Sequence, residues 1–351
     1  MPTRPVTSYP TRIKKRMLAS CGEDGLTIWD EHTRVEYFTY EKQEKWAGKF
    51  RSCLWHPQGK MIAAGTISGI EDPQGYVYIW NYNHISDKWD EQSRICIKGS
   101  TDDVVGLSWI ENKLLCCTTD GHFYVILVEM GGSHRVIATH YDNINAEINC
   151  VKWHLGNSNY FICGGHRGLE IYHFNETPQE FYWNIKKVAV RTSTTAAAGI
   201  CFDPNNSDGS EFIVFKFSGG IRTWELNITK DYMGCDLISL NIINMHGKRR
   251  SLEGNISTST KTYFSFDWNC KTVKEDRYMV LGCEDGKIEV YACDYFDDDY
   301  HSIGESTAHT DIVSCVKWSP SVIDEMFASA SLDGSIKFWM IDDTTDYTCR
   351  D

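Results

Sequence analysis

The chain has 351 residues, 42% of them hydrophobic and 13% aromatic, and a formal net charge of −13 at pH 7. This composition is that of a chain with a packed core, not of a disordered one. The excess of acid disfavours direct binding to nucleic acid or an anionic membrane, whose phosphates call for a surplus of Lys and Arg.

The N-terminal stretch MPTRPVTSYPTRIKKR has no apolar core of signal-peptide length, and no run of about 18 apolar residues follows, so no membrane-spanning helix is expected. Within it, SYP (8–10) is a faint strand ending. Residues 19–30, ASCGEDGLTIWD, then read as a β-hairpin: alternating runs on either side of an Asp-Gly turn, with Gly supplying a positive φ. The apolar strand RSCLWHP (51–57) leads to a second hairpin, AAGTISGIEDPQGYVYIW (63–80), whose turn carries the insertion ISGIEDPQ (67–74). The pair recurs as VVGLSWI (104–110) with CCTTDGHFYVIL (116–127), and as INCVKWH (148–154) with CGGHRGLEIYHF (163–174). It returns as AAGICFDP (197–204) with FKFSGGIRTWEL (215–226), and as YFSFDWN (263–269) with LGCEDGKIEVYA (281–292). The last pair is IVSCVKWSP (312–320) with ASASLDGSIKFW (328–339). The apolar strands read as buried on both faces, each closed by an aromatic residue: Trp55, Trp109, Trp153, Phe202, Trp268 and Trp318.

The seven turn glycines, Gly25, Gly75, Gly121, Gly168, Gly220, Gly286 and Gly334, lie on average about 51 residues apart, enough for four short strands per unit. The chain resembles the WD-repeat β-propeller family over essentially its whole length, and IWDE (28–31) carries that family's Trp-Asp pair. The resemblance implies an all-β fold: a single domain over 1–351 with seven four-stranded antiparallel blades around a central channel. Two ring closures are open. The favoured one pairs residues 2–8 onto the last blade; the other takes that blade's outer strand from DYTCRD (346–351).

The resemblance also implies a role for the turn acid. In the last unit it would join His309, Ser329, Asp333 and Trp339 in one hydrogen-bonded network, with Ser331 as the alternative serine because it shares the face. A hydrolytic triad is the rival for the same residues. It needs a serine on an exposed elbow and an oxyanion hole, whereas this serine lies in a strand and no GxSxG is present. His309 stands nine residues before Trp318; Trp46, Ser100 and Ser259 hold that place in other units, so only the last has the full set.

Members of this family commonly bind peptides at the channel mouth, through residues that start each inner strand. Four residues before the closing aromatics stand Arg51, Val105, Asn149, Ala198, Phe264 and Ser314, of which Arg51 and Phe264 are chemically the most useful. Trp89 and Trp183 fit no repeat slot and are candidate interface anchors. The basic run with Lys248, Arg249 and Arg250 falls in the longest interval, the 66 residues from Gly220 to Gly286, and reads as a loop insertion. The acidic run YFDDDY (295–300) reads as a solvated connection that would suit a basic partner.

The 14 cysteines sit mostly in apolar runs with no CxxC pair, and read as small buried hydrophobes of a reducing compartment, hence the cytoplasm or nucleus. Cys163, His166 and His173 share a hairpin, but a structural zinc site needs four ligands. No metal or other cofactor is expected. The resulting reading is a non-catalytic scaffold, a propeller monomeric within a hetero-complex, whose partners are other proteins, including basic or peptide segments. The alternatives are a reader of a short peptide or modified tail, an RNA-associated subunit acting through Lys248, Arg249 and Arg250, and, least favoured, a hydrolase.

Overall fold

The computed structural model describes residues 6–9, 17–30, 33–40, 49–68, 74–83, 85–97, 103–129, 133–141, 147–176, 183–192, 196–202, 211–216, 221–230, 236–242, 263–269, 277–293, 300–319, 326–341 and 347–350. They form seven four-stranded antiparallel sheets, each a simple meander in chain order. Blade 1 is β1 (Val6–Tyr9), β2 (Met17–Gly22), β3 (Gly25–Asp30) and β4 (Glu36–Tyr40). Blade 2 is β5 (Phe50–Trp55), β6 (Met61–Thr66), β7 (Tyr76–Asn83) and β8 (Lys88–Cys96). Blade 3 is β9 (Val104–Ile110), β10 (Lys113–Thr118), β11 (His122–Val128) and β12 (His134–Tyr141). Blade 4 is β13 (Ile148–Trp153), β14 (Tyr160–Gly165), β15 (Gly168–Glu176) and β16 (Trp183–Thr192). Blade 5 is β17 (Ala197–Phe202), β18 (Glu211–Lys216), β19 (Ile221–Lys230) and β20 (Asp236–Ile242). Blade 6 is β21 (Tyr263–Trp268), β22 (Arg277–Cys283), β23 (Lys287–Cys293) and β24 (Tyr300–Thr307). Blade 7 is β25 (Val313–Trp318), β26 (Met326–Ser331), β27 (Ile336–Ile341) and β28 (Tyr347–Arg350).

The first strands of successive blades touch one another all the way round, from β1 to β5 and onward to β25, which returns to β1. They are the inner ring. The second strands are the most buried: β2, β6, β10 and β14 have every residue buried. The inner strands depart from the expectation of burial on both faces. In β5 and β17 the second and fifth residues are half-buried, as are the second, third and fifth of β13 and β25, because these strands border the channel.

The turn chemistry acts where it was expected at Gly25, Gly121, Gly168, Gly286 and Gly334, all with positive φ. Gly75 is an exception: its φ is not positive, and the longer turn of blade 2 is closed by the Tyr76 N–H donating to the Thr66 hydroxyl at 2.9 Å. Gly220 lies outside the described residues.

The favoured ring closure is incorrect. Residues 6–9 pair with β2 as the inner strand of blade 1, and the outer strand of blade 7 comes from residues 347–350, on β27. Without β1 the inner ring would lack its seventh member. Closure is therefore by packing: Leu18 and Trp29 of blade 1 meet Cys315, Ala328, Ala330, Ile336 and Phe338 of blade 7. The Arg34 guanidinium lies 5.8 Å from the centre of the Phe338 ring across the same seam.

Candidate binding face

A meander places the start of every inner strand, the turn between second and third strands, and the connection from the preceding blade at one end of the ring. Main-chain bonds lace these segments together. Thr119 N–H donates to the Asp103 carbonyl (3.1 Å), His166 to Glu147 (3.0 Å) and Leu332 to Ile312 (3.0 Å). Others cross between blades: Ile148 N–H donates to Thr119 (3.2 Å) and His309 N–H to Gly286 (3.0 Å).

Each inner strand of blades 2 to 7 carries a β-bulge at this rim. The register shifts between Phe50 and Ser52, Ile148 and Cys150, Ala197 and Gly199, Tyr263 and Ser265, and Val313 and Cys315. In β9 the partners skip from Gly106 to Val104. The bulged residues are thus Arg51, Val105, Asn149, Ala198, Phe264 and Ser314, the positions four before each closing aromatic. A bulged residue leaves the ladder, and its side chain is re-aimed.

Their surroundings differ. Arg51 donates to Asp103 Oδ2 at 2.8 Å, and Asp103 Oδ1 accepts from the Ser68 N–H at 3.0 Å, which fixes the guanidinium between blades 2 and 3. Asn149 Nδ2 donates to the Ala197 carbonyl (3.0 Å) and ties blade 4 to blade 5. Ser314 Oγ donates to Ala330 O (3.3 Å). Phe264 is half-buried at the rim. Trp89 is a correction: it is 4% exposed and packs on Trp55 and Tyr82, with ring centroids 5.3 Å away in both cases, so it anchors a blade core and not a partner. Trp183 opens the outer strand β16, and its side chain is outside the described set. Lys248, Arg249 and Arg250 lie outside the described residues altogether.

In blade 7, His309, Ser329, Asp333 and Trp339 come together beneath the rim. His309 Nε2 is 2.7 Å from Ser329 Oγ, and Trp339 Nε1 donates to the same hydroxyl at 2.8 Å. His309 Nδ1 is 3.1 Å from Asp333 Oδ2, which also accepts from the Thr310 N–H at 3.0 Å. Ser329 thus takes the place for which Ser331 was the alternative. Ser331 instead donates to the Asp311 carbonyl and accepts from the Asp333 N–H, while Ser335, unremarked in the sequence, joins both His309 and Asp333. The His309 side chain has no exposed surface. Ser329, at 0% exposure, is closed off from any substrate.

Burial works to raise the pKa of Asp333, but hydrogen bonds from Ser335 and Thr310 and the nearby His309 prevail and hold it well below the usual carboxylate range. Burial lowers the pKa of His309 against the opposing pull of Asp333, and burial lowers that of His56 as well. Below about pH 6.5 an unfolded histidine takes up a proton that these buried rings refuse. Their contribution to stability is complete above that pH and is lost as pH falls through the lower folded values. Urea midpoints are therefore expected to drop between about pH 7 and pH 5, and to drop less in His309→Gln. An unchanged pH slope in the variant would count against this assignment.

The sequence reading missed a second kind of network. In blade 4 the buried Glu170 accepts from the Tyr172 hydroxyl (2.8 Å) and Lys187 Nζ (3.0 Å). In blade 6 Glu289 accepts from the Tyr291 hydroxyl at 3.0 Å. The available signal was the shared Glu-x-Tyr in LEIY and IEVY. The zinc candidates are held apart: Cys163 pairs across its hairpin with Glu170, whereas His173 pairs with Tyr160 and stacks on it at 4.6 Å. Burial pushes the Cys163 thiol well up, as it does Cys116 and Cys150, both to about 12, so these sulfurs stay protonated as core atoms.

Comparison with known proteins agrees with this architecture. Residues 301–340, in blades 6 and 7, match the family described as WD40: WD domain, G-beta repeat. The chain is 38% identical over 69 residues to protein transport protein SEC13 of Chaetomium thermophilum, a match covering 19% of this chain and 22% of that protein. Among solved structures, a chain of the mitotic checkpoint complex superimposes with a TM-score of 0.63 at 15% identity, over 97% of this chain and 96% of its own. The β-propeller domain of Myceliophthora thermophila Cps50 (Swd1) gives 0.59 at 13% identity, over 96% of this chain and 100% of its own.

Proposed function

Because this chain is a WD-repeat β-propeller, we propose that it is a non-catalytic interaction scaffold, a subunit of a multiprotein complex in the cytoplasm or nucleus. The observation that carries this reading is the rim of bulges. One backbone device repeats in six blades, yet it presents Arg, Val, Asn, Ala, Phe and Ser. A rigid frame with unlike side chains at equivalent positions suits recognition of a protein segment. The catalytic alternative loses its best residues, since His309, Ser329 and Asp333 spend their polar atoms on one another inside blade 7. The SEC13 and Swd1 likenesses support the reading only as examples of related folds.

Phe264 is the rim residue best suited to an apolar contact, and Arg51 the one suited to an acidic group. Affinity capture from the native source, followed by mass spectrometry, tests the reading with paired baits. Phe264→Ala and Arg51→Ala are each expected to reduce recovery of the wild-type partner set by about tenfold, equivalent to about 1.4 kcal/mol, while both variants remain folded; Arg51→Ala also gives up the ion pair to Asp103 and should lower thermal stability modestly. Wild-type protein that enriches no partner, or variants that recover all partners equally, would overturn it.

A further inference from the structure

The inner strands have no neighbour on their channel side, so main-chain N–H groups on that edge need acceptors from elsewhere. In blades 2, 4, 6 and 7 the residue after the closing aromatic bonds back to the second strand: His56 N–H to Met61 O, His154 to Tyr160, Asn269 to Tyr278 and Ser319 to Met326. The aromatic's own N–H therefore faces the channel. Three blades satisfy it in the same way, with the residue just before the previous blade's closing aromatic. Ser108 Oγ accepts from the Trp153 N–H at 2.9 Å, and Asp267 Oδ2 accepts from the Trp318 N–H at 2.8 Å. Cys201 Sγ is within hydrogen-bonding reach of the Trp268 N–H.

Between blades 4 and 5 this pattern breaks. The equivalent pair is Lys152 and the Phe202 N–H, and Phe202 holds the same register position against Phe212 that Trp153 holds against Phe161. An ammonium cannot accept a hydrogen bond, so this step has no side-chain acceptor where those three have one; the step from Leu54 to Trp109 lacks one too, but brings no charge to the layer. Lys317, in the same layer, has its ammonium on Asp267 Oδ1 at 2.7 Å, and Asp267 has its second oxygen on Trp318. Among the described residues no acceptor is given to the Lys152 ammonium, which is half-buried. Its pKa is lowered by burial and by the charge of Lys317, with Cys201 and Asp267 opposing. The layer thus carries two cations and one anion inside a chain of net charge −13.

We propose that the channel binds a small oxyanion, of the phosphate or carboxylate class, held between the Lys152 ammonium and the Phe202 N–H. The anion supplies the acceptor missing from this step of the layer, and its charge offsets the partly desolvated ammonium.

The first measurement is thermal unfolding of the full chain in inorganic phosphate or acetate, against chloride at equal ionic strength. At saturation one or both oxyanions are expected to raise the Tm by about 2 °C or more; phosphate alone or acetate alone would identify the class. The rise should vanish in Lys152→Met and persist in Lys186→Gln, which alters an exposed lysine of β16. An equal rise in Lys152→Met overturns the proposal. The second measurement needs no variant: the rate at which an amine-acylating reagent labels Lys152 in the wild-type chain, read by peptide mass spectrometry. The effective oxyanion should slow it at least threefold while leaving Lys186 unchanged. Labelling of Lys152 that neither anion alters overturns the proposal.

Discussion

Trp339→Ala is expected to lower the unfolding free energy by about 3–5 kcal/mol, the range for truncating a fully packed aromatic. Trp339 is 2% exposed and stacks on Phe327 with centroids 5.9 Å apart and planes within 10°. Its cluster spans two blades, with Ile288 and Val290 from blade 6 and Val313, Val316 and Trp318 from blade 7. Loss of the indole opens a cavity at a seam that the surrounding strands, each fixed in its own ladder, cannot close. The polar part is separable. Trp339→Phe keeps most of the volume and removes one donor from Ser329, which retains its bond to His309, so a cost near 1 kcal/mol is expected. Trp29 makes the corresponding bond to Ser20 Oγ at 2.9 Å in blade 1 but is only half-buried, and its truncation should cost less. Urea denaturation of the three variants would decide the matter. A Trp339→Ala loss no larger than that of Trp29→Ala would contradict the ranking.

Gly286→Ala is the second large effect, and Gly334→Ala is its control. Both glycines have positive φ, +79° and +86°. A side chain in that region costs about 1–2 kcal/mol wherever it occurs. At Gly334 a Cβ would have nothing within 4 Å, so that cost stands alone. At Gly286 the Cβ would lie 2.2 Å from the His309 carbonyl oxygen and 2.8 Å from its carbon. Those are main-chain atoms, tied to blade 6 by the N–H groups of Ala308 and His309, which both donate to Gly286 O. Relief of the clash requires the connection into blade 7 to move, and with it the histidine of the network. Overpacking of this kind adds about 1–3 kcal/mol. Gly286→Ala should therefore destabilise clearly more than Gly334→Ala and should weaken the His309–Ser329–Asp333 network. Denaturation midpoints test the first expectation, and the histidine ring resonances in NMR test the second. Equal losses at the two positions would show that the connection moves freely.

The hairpins were legible because their information is local. Alternation sets which residues share a face, and a turn glycine sets where the chain reverses, so Gly121, Gly168, Gly286 and Gly334 could be picked out one unit at a time. The blade 7 network was legible for a related reason: its four residues lie within 31 positions, on one blade and the loop entering it. Trp89 was misread because a single chain shows only that it stands off the repeat. That Trp55 and Tyr82 bury it depends on how three strands of blade 2 stack. The Glu170 and Glu289 networks escaped notice because a buried carboxylate announces itself only by its partners, and Lys187 reaches Glu170 from the next strand.

By itself, then, the sequence determined the repeat, the strand-turn-strand units, the aromatic that closes each inner strand and the position of the rim residues. All of these follow from periodicity within about 50 residues and from the steric demands of single turns. Only the tertiary structure decided that the ring closes by packing Leu18 and Trp29 against blade 7, with no exchange of strands. It alone showed that the rim residues are bulged, and that Ser108, Cys201 and Asp267 cap the channel edge of the following blade where Lys152 does not. Those facts depend on the rotation and offset between neighbouring blades. Such contacts join residues at least 45 positions apart, and no local pattern of hydrophobicity or turn chemistry encodes how one sheet is set against the next.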